Sequence, residues 1–293
     1  IDDLKNSINA IKSSTKLPIV AGFGIKNRND VEQISTFTDG VVVGSSIVNI
    51  IKDNLNNKNK MIDEIKGHIN KGCKKVLIAS TPMEFGDVQI YIPGANDDKV
   101  DFTESSFSLG SNTANAVSPI LKHLDEKVGI KRAFLTTVHG YSNSNRLADV
   151  AGEGFRLNRA AGENIIPSIT KSSDVIVEVL PEFKNKVASS SMTVPVPDGS
   201  TVDLTIDLEK ETSIEEINGL IEDMSKNILK DIIGITYDPI VSSDVVRSTL
   251  SGLVDGLATM GINNKKIKLI IWFDNGWGYA ARIIDTLKKL DME

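Results

Sequence analysis

The sequence reads as an α/β segment followed by an α+β segment. Two observations carry that expectation. Near the start, two stretches of buried-strand character each run into a glycine turn and then a helix, and consecutive units of that kind imply parallel strands. Farther along the pattern is strand-rich: Thr193–Pro197 and Ser200–Ile206 read as extended, and Ser213–Leu229 reads as an amphipathic helix with a serine cap.

Taken in order, Lys16–Ile25 (KLPIVAGFGI) predicts a buried strand and a glycine turn, and a helix follows from about Asn29 to Phe37 on the apolar spacing Val31, Ile34, Phe37. Asp39–Ser46 (DGVVVGSS) predicts the second strand and turn. Glycine admits close backbone approach, and amides opening a helix point at anions, so Gly24, Gly44 and Ser45 are candidate phosphate contacts. Plain tight turns are the alternative. Two parallel strands leave apolar faces that need cover, and Lys75–Ala79, itself a predicted strand, is a candidate third strand beside them. Between them lie a polar linker candidate, Asn54–Lys60, and a helix from about Lys60 to Lys71 with Met61, Ile62, Ile65 and Ile69 as its apolar positions and Gly72 as its stop.

With 40% hydrophobic and 25% charged residues in 293, the chain is ordinary globular material. Its 33 Lys and Arg and 39 Asp and Glu are spread evenly for a net charge of -6, so no polybasic surface offers itself to nucleic acid or to a membrane. Small molecules or proteins are the expected partners. The single cysteine, Cys73, reads as an inert packed thiol, and His68, His123 and His139 are too scattered for a zinc site. A reducing cytoplasm is the expected compartment. Apolar runs such as Leu269–Phe273 fall far below the roughly 18 residues that span a bilayer, and no signal peptide is read ahead of Ile1.

LPIVAGFGI and DGVVVGSSIVNII make residues 1–70 similar to the last two strand–helix units of the tryptophan synthase alpha subunit, a fragment of its (β/α) barrel. In that family Gly24, Gly44 and Ser45 match phosphate loops. The catalytic carboxylates lie on strands this segment lacks, and two strands cannot close a barrel of eight, so no lyase activity is implied.

From Gly72 onward the chain resembles phosphorylating glyceraldehyde-3-phosphate dehydrogenase. The stretches that carry the resemblance are KKVLIASTP, IYIPGAND, LTTVHGYSNSNR, NRAAGENIIPSIT, VLPEFKNKV, TVPVPDGSTVDLT, YDPIVSSD and WFDNGWGYAARIID. It implies a remnant of a nicotinamide-binding domain over 71–107 and a catalytic domain over 108–293 with a mainly antiparallel sheet. It further implies NAD as cofactor, phosphate or a small phosphorylated metabolite as ligand, and a homo-oligomer.

In that family a thiolate attacks the aldehyde, a histidine moves protons, hydride passes to NAD and phosphate releases the acyl group. His139 in TTVHGY matches the histidine, and an imidazole with an ordinary pKa of about 6.5 suits that role. The nucleophile fails to match. In SNTANAVSP the cysteine position is Asn112, whose amide no histidine can activate, and the second cysteine position is Ala116. The resemblance implies inorganic-phosphate contacts at Ser111, Thr113 and Thr170 with Arg159 close by, although Lys171 stands where the family has glycine. At the substrate-phosphate site Ser142 replaces a threonine, and Thr193 stands where an arginine would anchor the phosphate. Asn275 and Tyr279 in FDNGWGY match residues that hold the nicotinamide ring. GFGI at 22–25 lacks the third glycine and the acid of a dinucleotide fingerprint, so tight NAD binding by this chain alone is not expected.

Overall fold

The computed structural model describes residues 2–15, 19–22, 25, 28–44, 47, 50, 52–54, 57, 60, 64, 75–82, 84–86, 88–152 and 154–291. The chain divides into two compact units, Ile1–Val76 with Leu287–Glu293, and Leu77–Thr286.

In the first unit helix α1 (Asp2–Ser14) precedes strand β1 (Val20–Ala21), helix α2 (Arg28–Ile34) and strand β2 (Gly40–Val41). The strands pair in parallel, Val20 against Gly40 and Ala21 against Val41, as two successive strand–turn–helix units require. Ile8, Ala21, Ile25 and Ile34 form their small core. Asp39 fixes the entry to β2, because its carboxylate accepts from the Ile19 amide at 2.8 Å and from Lys12 Nζ at 3.0 Å. The Ile19 amide, aided by the Lys12 ammonium, holds that carboxyl below its usual range. Among the described residues the unit holds one two-stranded sheet rather than a longer run of a barrel. Most of the helix expected over 60–71, and Cys73, lie outside the described residues.

Lys75–Ala79 does contain a strand, β3 (Val76–Ile78), but among the described residues it pairs in a sheet other than that of β1 and β2. It edges a three-stranded sheet with β5 (Ser106–Ser108) in the middle and β4 (Gln89–Ile90) beyond. The bonds that hold it there are Leu109 N to Ile78 O at 3.2 Å and Ser108 Oγ to Ser80 O at 2.6 Å.

The second sheet is built from β6 (Ile130–Gly140), β7 (Ile166–Ser168), β8 (Val187–Val194), β9 (Ser200–Leu208), β10 (Ile233–Thr236), β11 (Gly252–Asp255), β12 (Met260–Ile262) and β13 (Lys266–Phe273). Its spatial order is β10-β11-β13-β9-β6-β8-β7, with β12 on β13. The sheet is mixed, which corrects the mainly antiparallel expectation. β6 runs parallel to β8 and β10 parallel to β11, while β9 lies antiparallel to both β6 and β13. Parallel neighbours need long connections. Residues 141–186 and 237–251 supply them.

Helices α3 (Asn112–Val128), α4 (Ser172–Val179) and α5 (Ile214–Lys226) share one core with this sheet. Strand alternation sets the division. Val202, Leu204, Ile206 and Leu208 of β9 are buried, as are Ala133 and Leu135 of β6, whereas the intervening Phe134 is 54% exposed. α5 starts at Ile214 because Ser213 and Glu216 close a capping box: Ser213 Oγ accepts from the Glu216 amide at 3.1 Å, and Glu216 Oε2 accepts from the Ser213 amide at 2.9 Å. It ends at Lys226, three residues short of the expected Leu229. β8 likewise stops at Val194, since Pro195 and Pro197 have no N–H for a ladder. α6 (Trp277–Asp291) follows β13. Among the described residues no helix is long and apolar enough to cross a membrane.

Candidate functional site

His139 is the next-to-last residue of β6, and alternation puts it on the row of the buried Ala133, Leu135 and Thr137. Its Nδ1 lies 3.0 Å from Ser200 Oγ and 3.4 Å from Asn275 Nδ2. The ring stands edge-on to Phe273, 6.0 Å between centroids. These partners arrive together because Ser200 opens β9 directly opposite Phe273 of β13, and Asn275 follows two residues later. Burial, opposed by the Asn275 contact, lowers the imidazole's proton affinity below its ordinary value. Nε2 has no protein partner among the described residues.

The start of α6 is fixed by Asp274, 2% exposed. Its Oδ1 accepts from the amides of Gly276 at 2.8 Å and Trp277 at 2.7 Å, and its Oδ2 accepts from the Arg247 amide at 2.7 Å. That clamp sets the direction of Asn275. Four residues on, the Tyr279 hydroxyl donates to the Gly110 carbonyl at 2.9 Å, and burial holds the phenol well above its ordinary range. Asn275 and Tyr279 thus bring the end of β6 and the loop ahead of α3 to one short stretch of chain.

That loop turns at Gly110, with φ +61, where a Cβ would come 2.9 Å from Val175 Cγ1. Ser111 is the N-cap of α3, its Oγ accepting from the Ala114 amide at 3.1 Å. Asn112, the first helical residue, folds back so that its Oδ1 accepts from the Thr113 amide at 2.8 Å. Thr113 is 1% exposed. Asn115, one turn in, donates to Leu109 O at 2.7 Å and Ser111 O at 2.9 Å. The polar groups that open α3 therefore bond chiefly to one another.

The remaining expected residues hold local partners. Thr170 Oγ1 lies 2.8 Å from Ser172 Oγ and accepts from the Ser172 amide at 3.1 Å, a local turn just ahead of α4. The exposed Ser142 bonds Ser144 Oγ at 2.9 Å and Asn145 within its own loop. Arg159 Nε donates to Asp149 Oδ2 at 3.0 Å, both side chains more than half exposed. The Ala160 amide, then Arg159, holds the Asp149 carboxyl below its usual range. Thr193 is 8% exposed and sits beside His139 in the β6–β8 register. Gly44 lies beyond β2 with no neighbour near its Cβ position; Gly24 and Ser45 lie outside the described residues. Ser200 and Asp274 escaped the sequence reading, although both fall inside quoted motifs. What they touch is a matter of side-chain direction: Ser200 meets His139 of β6, and Asp274 meets the amides of Arg247, Gly276 and Trp277.

The fit to a nicotinamide group is poor in this arrangement. Asn275 turns Nδ2 to His139 and buries Oδ1, and Tyr279 has given its hydroxyl to Gly110, so neither presents an accessible polar atom to the ring. No group of three or more His, Cys, Asp or Glu side chains is placed to hold a metal among the described residues.

Residues 111–275 match the family described as glyceraldehyde 3-phosphate dehydrogenase, C-terminal domain, and residues 1–77 match tryptophan synthase alpha chain. The chain is 39% identical over 239 residues to glyceraldehyde-3-phosphate dehydrogenase of Geobacillus stearothermophilus, covering 81% of this chain and 70% of that one. It is 37% identical over 248 residues to the enzyme of the same name from Priestia megaterium, covering 84% and 73%. With that of Borreliella burgdorferi the values are 40% over 225 residues, covering 76% and 67%. The mixed sheet with its histidine is therefore the domain of a dehydrogenase class. The chain belongs to the glyceraldehyde-3-phosphate dehydrogenase family, and its first 77 residues carry a tryptophan synthase alpha chain match.

Proposed function

We propose that this chain is a divergent member of its family that keeps the catalytic-domain fold and has little or no dehydrogenase activity. The carrying observation is Asn112: it opens α3 with its amide folded onto the Thr113 amide, and carboxamides carry no nucleophile for acyl transfer. Ser111 and Thr113 are poor substitutes, since the first is spent as a helix cap and the second is buried.

In this reading His139 is the family's histidine and NAD is the cofactor of the family reaction, which Asn275 and Tyr279 would face only by giving up their present partners. Domain boundaries fall near 70 and 107, with Gly24, Gly44 and Ser45 as phosphate loops of a barrel-type fragment. Phosphate or a small phosphorylated metabolite is the ligand class for Ser111, Thr113, Ser142, Arg159 and Thr170. The cytoplasm and a homo-oligomeric state are expected on every reading; a chimeric fusion without a joint function is one alternative, and a non-catalytic phosphate- or sugar-phosphate-binding or assembly subunit is the second reading. The exposure of Phe155 at 89%, Leu147 at 72% and Ile169 at 100% favours it, because large apolar side chains grouped in one stretch of chain are the usual material of an interface.

NADH formation from glyceraldehyde 3-phosphate, NAD and phosphate tests the first reading. No turnover is expected, and robust turnover abolished by His139→Ala would overturn it. Calorimetric titration with phosphate and with glyceraldehyde 3-phosphate tests the ligand class, and absence of heat overturns it.

A further inference from the structure

We infer that the solvent face of the large sheet carries a second ligand site, for a nucleoside di- or triphosphate, where β6, β8, β9 and β13 run side by side. The observation is a cavity of about 460 Å³, open to solvent, whose walls include Arg132, Phe134, Asn185, Lys186, Asp207 and Lys266. It stands apart from His139. Arg132 lies seven residues back along β6, roughly 23 Å of strand, and alternation turns the two side chains to opposite faces.

Strand register explains the cavity. Phe134 faces Thr205 of β9 on one side and Ala188 of β8 on the other, and both are small, so its ring lies uncovered between the strands. Lys268, beside Thr205, is drawn off to Asp203 at 2.7 Å and leaves the space open.

The next row along the strands supplies charge. Asp207 pairs in register with Arg132 of β6 and with Lys266 of β13, and its carboxylate bridges them, 3.4 Å from Arg132 Nε and 3.2 Å from Lys266 Nζ. That bridge engages Arg132 through Nε and leaves its Nη pair unbonded among the described residues, a fork that matches two oxygens of one phosphate. Lys186, leading into β8, is the third cation; its Nζ donates to Ile130 O at 3.1 Å and keeps further N–H groups. Asn185, turned to φ 63, brings a carboxamide with no partner among the described residues. Three cations against one carboxylate make a positive spot on a chain of net charge -6.

The two parts together select the ligand. A surplus of two positive charges asks for more than one anionic group, and the open Phe134 ring offers a flat apolar wall on which a base stacks. Inorganic phosphate leaves the ring unused, and an uncharged nucleoside leaves the cations unused. The volume lies in the range that small-molecule ligands fill.

Calorimetric titration of the full chain, at low salt with EDTA, takes magnesium-free ATP, tripolyphosphate and adenosine as probes. ATP should bind saturably, tripolyphosphate about tenfold more weakly for want of the stacked base, and adenosine not at all. Arg132→Gln combined with Lys266→Gln should weaken ATP by about tenfold or more. Phe134→Ala, which empties an exposed position and should leave the unfolding midpoint unchanged, should bring ATP down to the tripolyphosphate level. His139→Gln should leave ATP binding as it is; its loss there would put the nucleotide in the other site and overturn the inference, whatever the NADH assay returns. ATP that does not bind, or that binds the double variant equally well, overturns it too. So does a double variant that splits an oligomer while the parent chain takes up no ATP, which would give this face to a second copy.

Discussion

Position 112 shows how one side chain changes what a helix start can do. The first turn of α3 has amides pointing outward, a natural place for an anion or a developing negative charge. Here Ser111 and Asn112 answer those amides from within the chain. Ser111→Ala should therefore cost about 1 kcal/mol, read by chemical denaturation, as for other N-caps. His139 gives a second expectation at this scale. Its folded-state proton affinity is depressed, so the unfolded chain binds the extra proton first as pH falls. Stability should be fully present above an unfolded value of about 6.5 and fall as pH drops through it toward the folded value. His139→Gln should remove that part of the pH dependence, which denaturation at neutral and mildly acid pH would measure.

At the scale of elements, backbone geometry places the site. Gly110→Ala puts a Cβ into a left-handed turn and against Val175, so it should destabilise by more than about 1 kcal/mol and loosen the Gly110–Tyr279 bond. Leu204→Ala, which empties a fully buried position of β9, should cost roughly 2–5 kcal/mol in the same denaturation measurement. Much of this was open to sequence reading. The extended pattern of Ser200–Ile206 announced β9, the serine cap and amphipathic spacing of Ser213–Leu229 announced α5, and the two glycine-ended units announced parallel β1 and β2. Strand direction in the large sheet was not. Whether β6 meets β8 in parallel depends on how residues 141–186 return, and local periodicity has no term for that. The placing of β3 beside β5 was hidden for the same reason, being fixed by contacts from Leu109 and Ser108.

The whole chain joins a segment matching the tryptophan synthase alpha chain to a dehydrogenase-family unit with an asparagine at position 112. Motif reading pointed to His139, Asn275 and Tyr279, because each sits in a long distinctive stretch. It could not find that Asn275 faces His139, nor that Arg159 is spent on Asp149, since those are facts of side-chain direction. One measurement bears most directly on the central claim. Intact-protein mass spectrometry after incubation with NAD and glyceraldehyde 3-phosphate, phosphate withheld, should return the unmodified mass, for the amide of Asn112 forms no acyl bond and Ser111 is spent as a helix cap. An added acyl mass mapping to Ser111, Thr113 or a neighbour would contradict it.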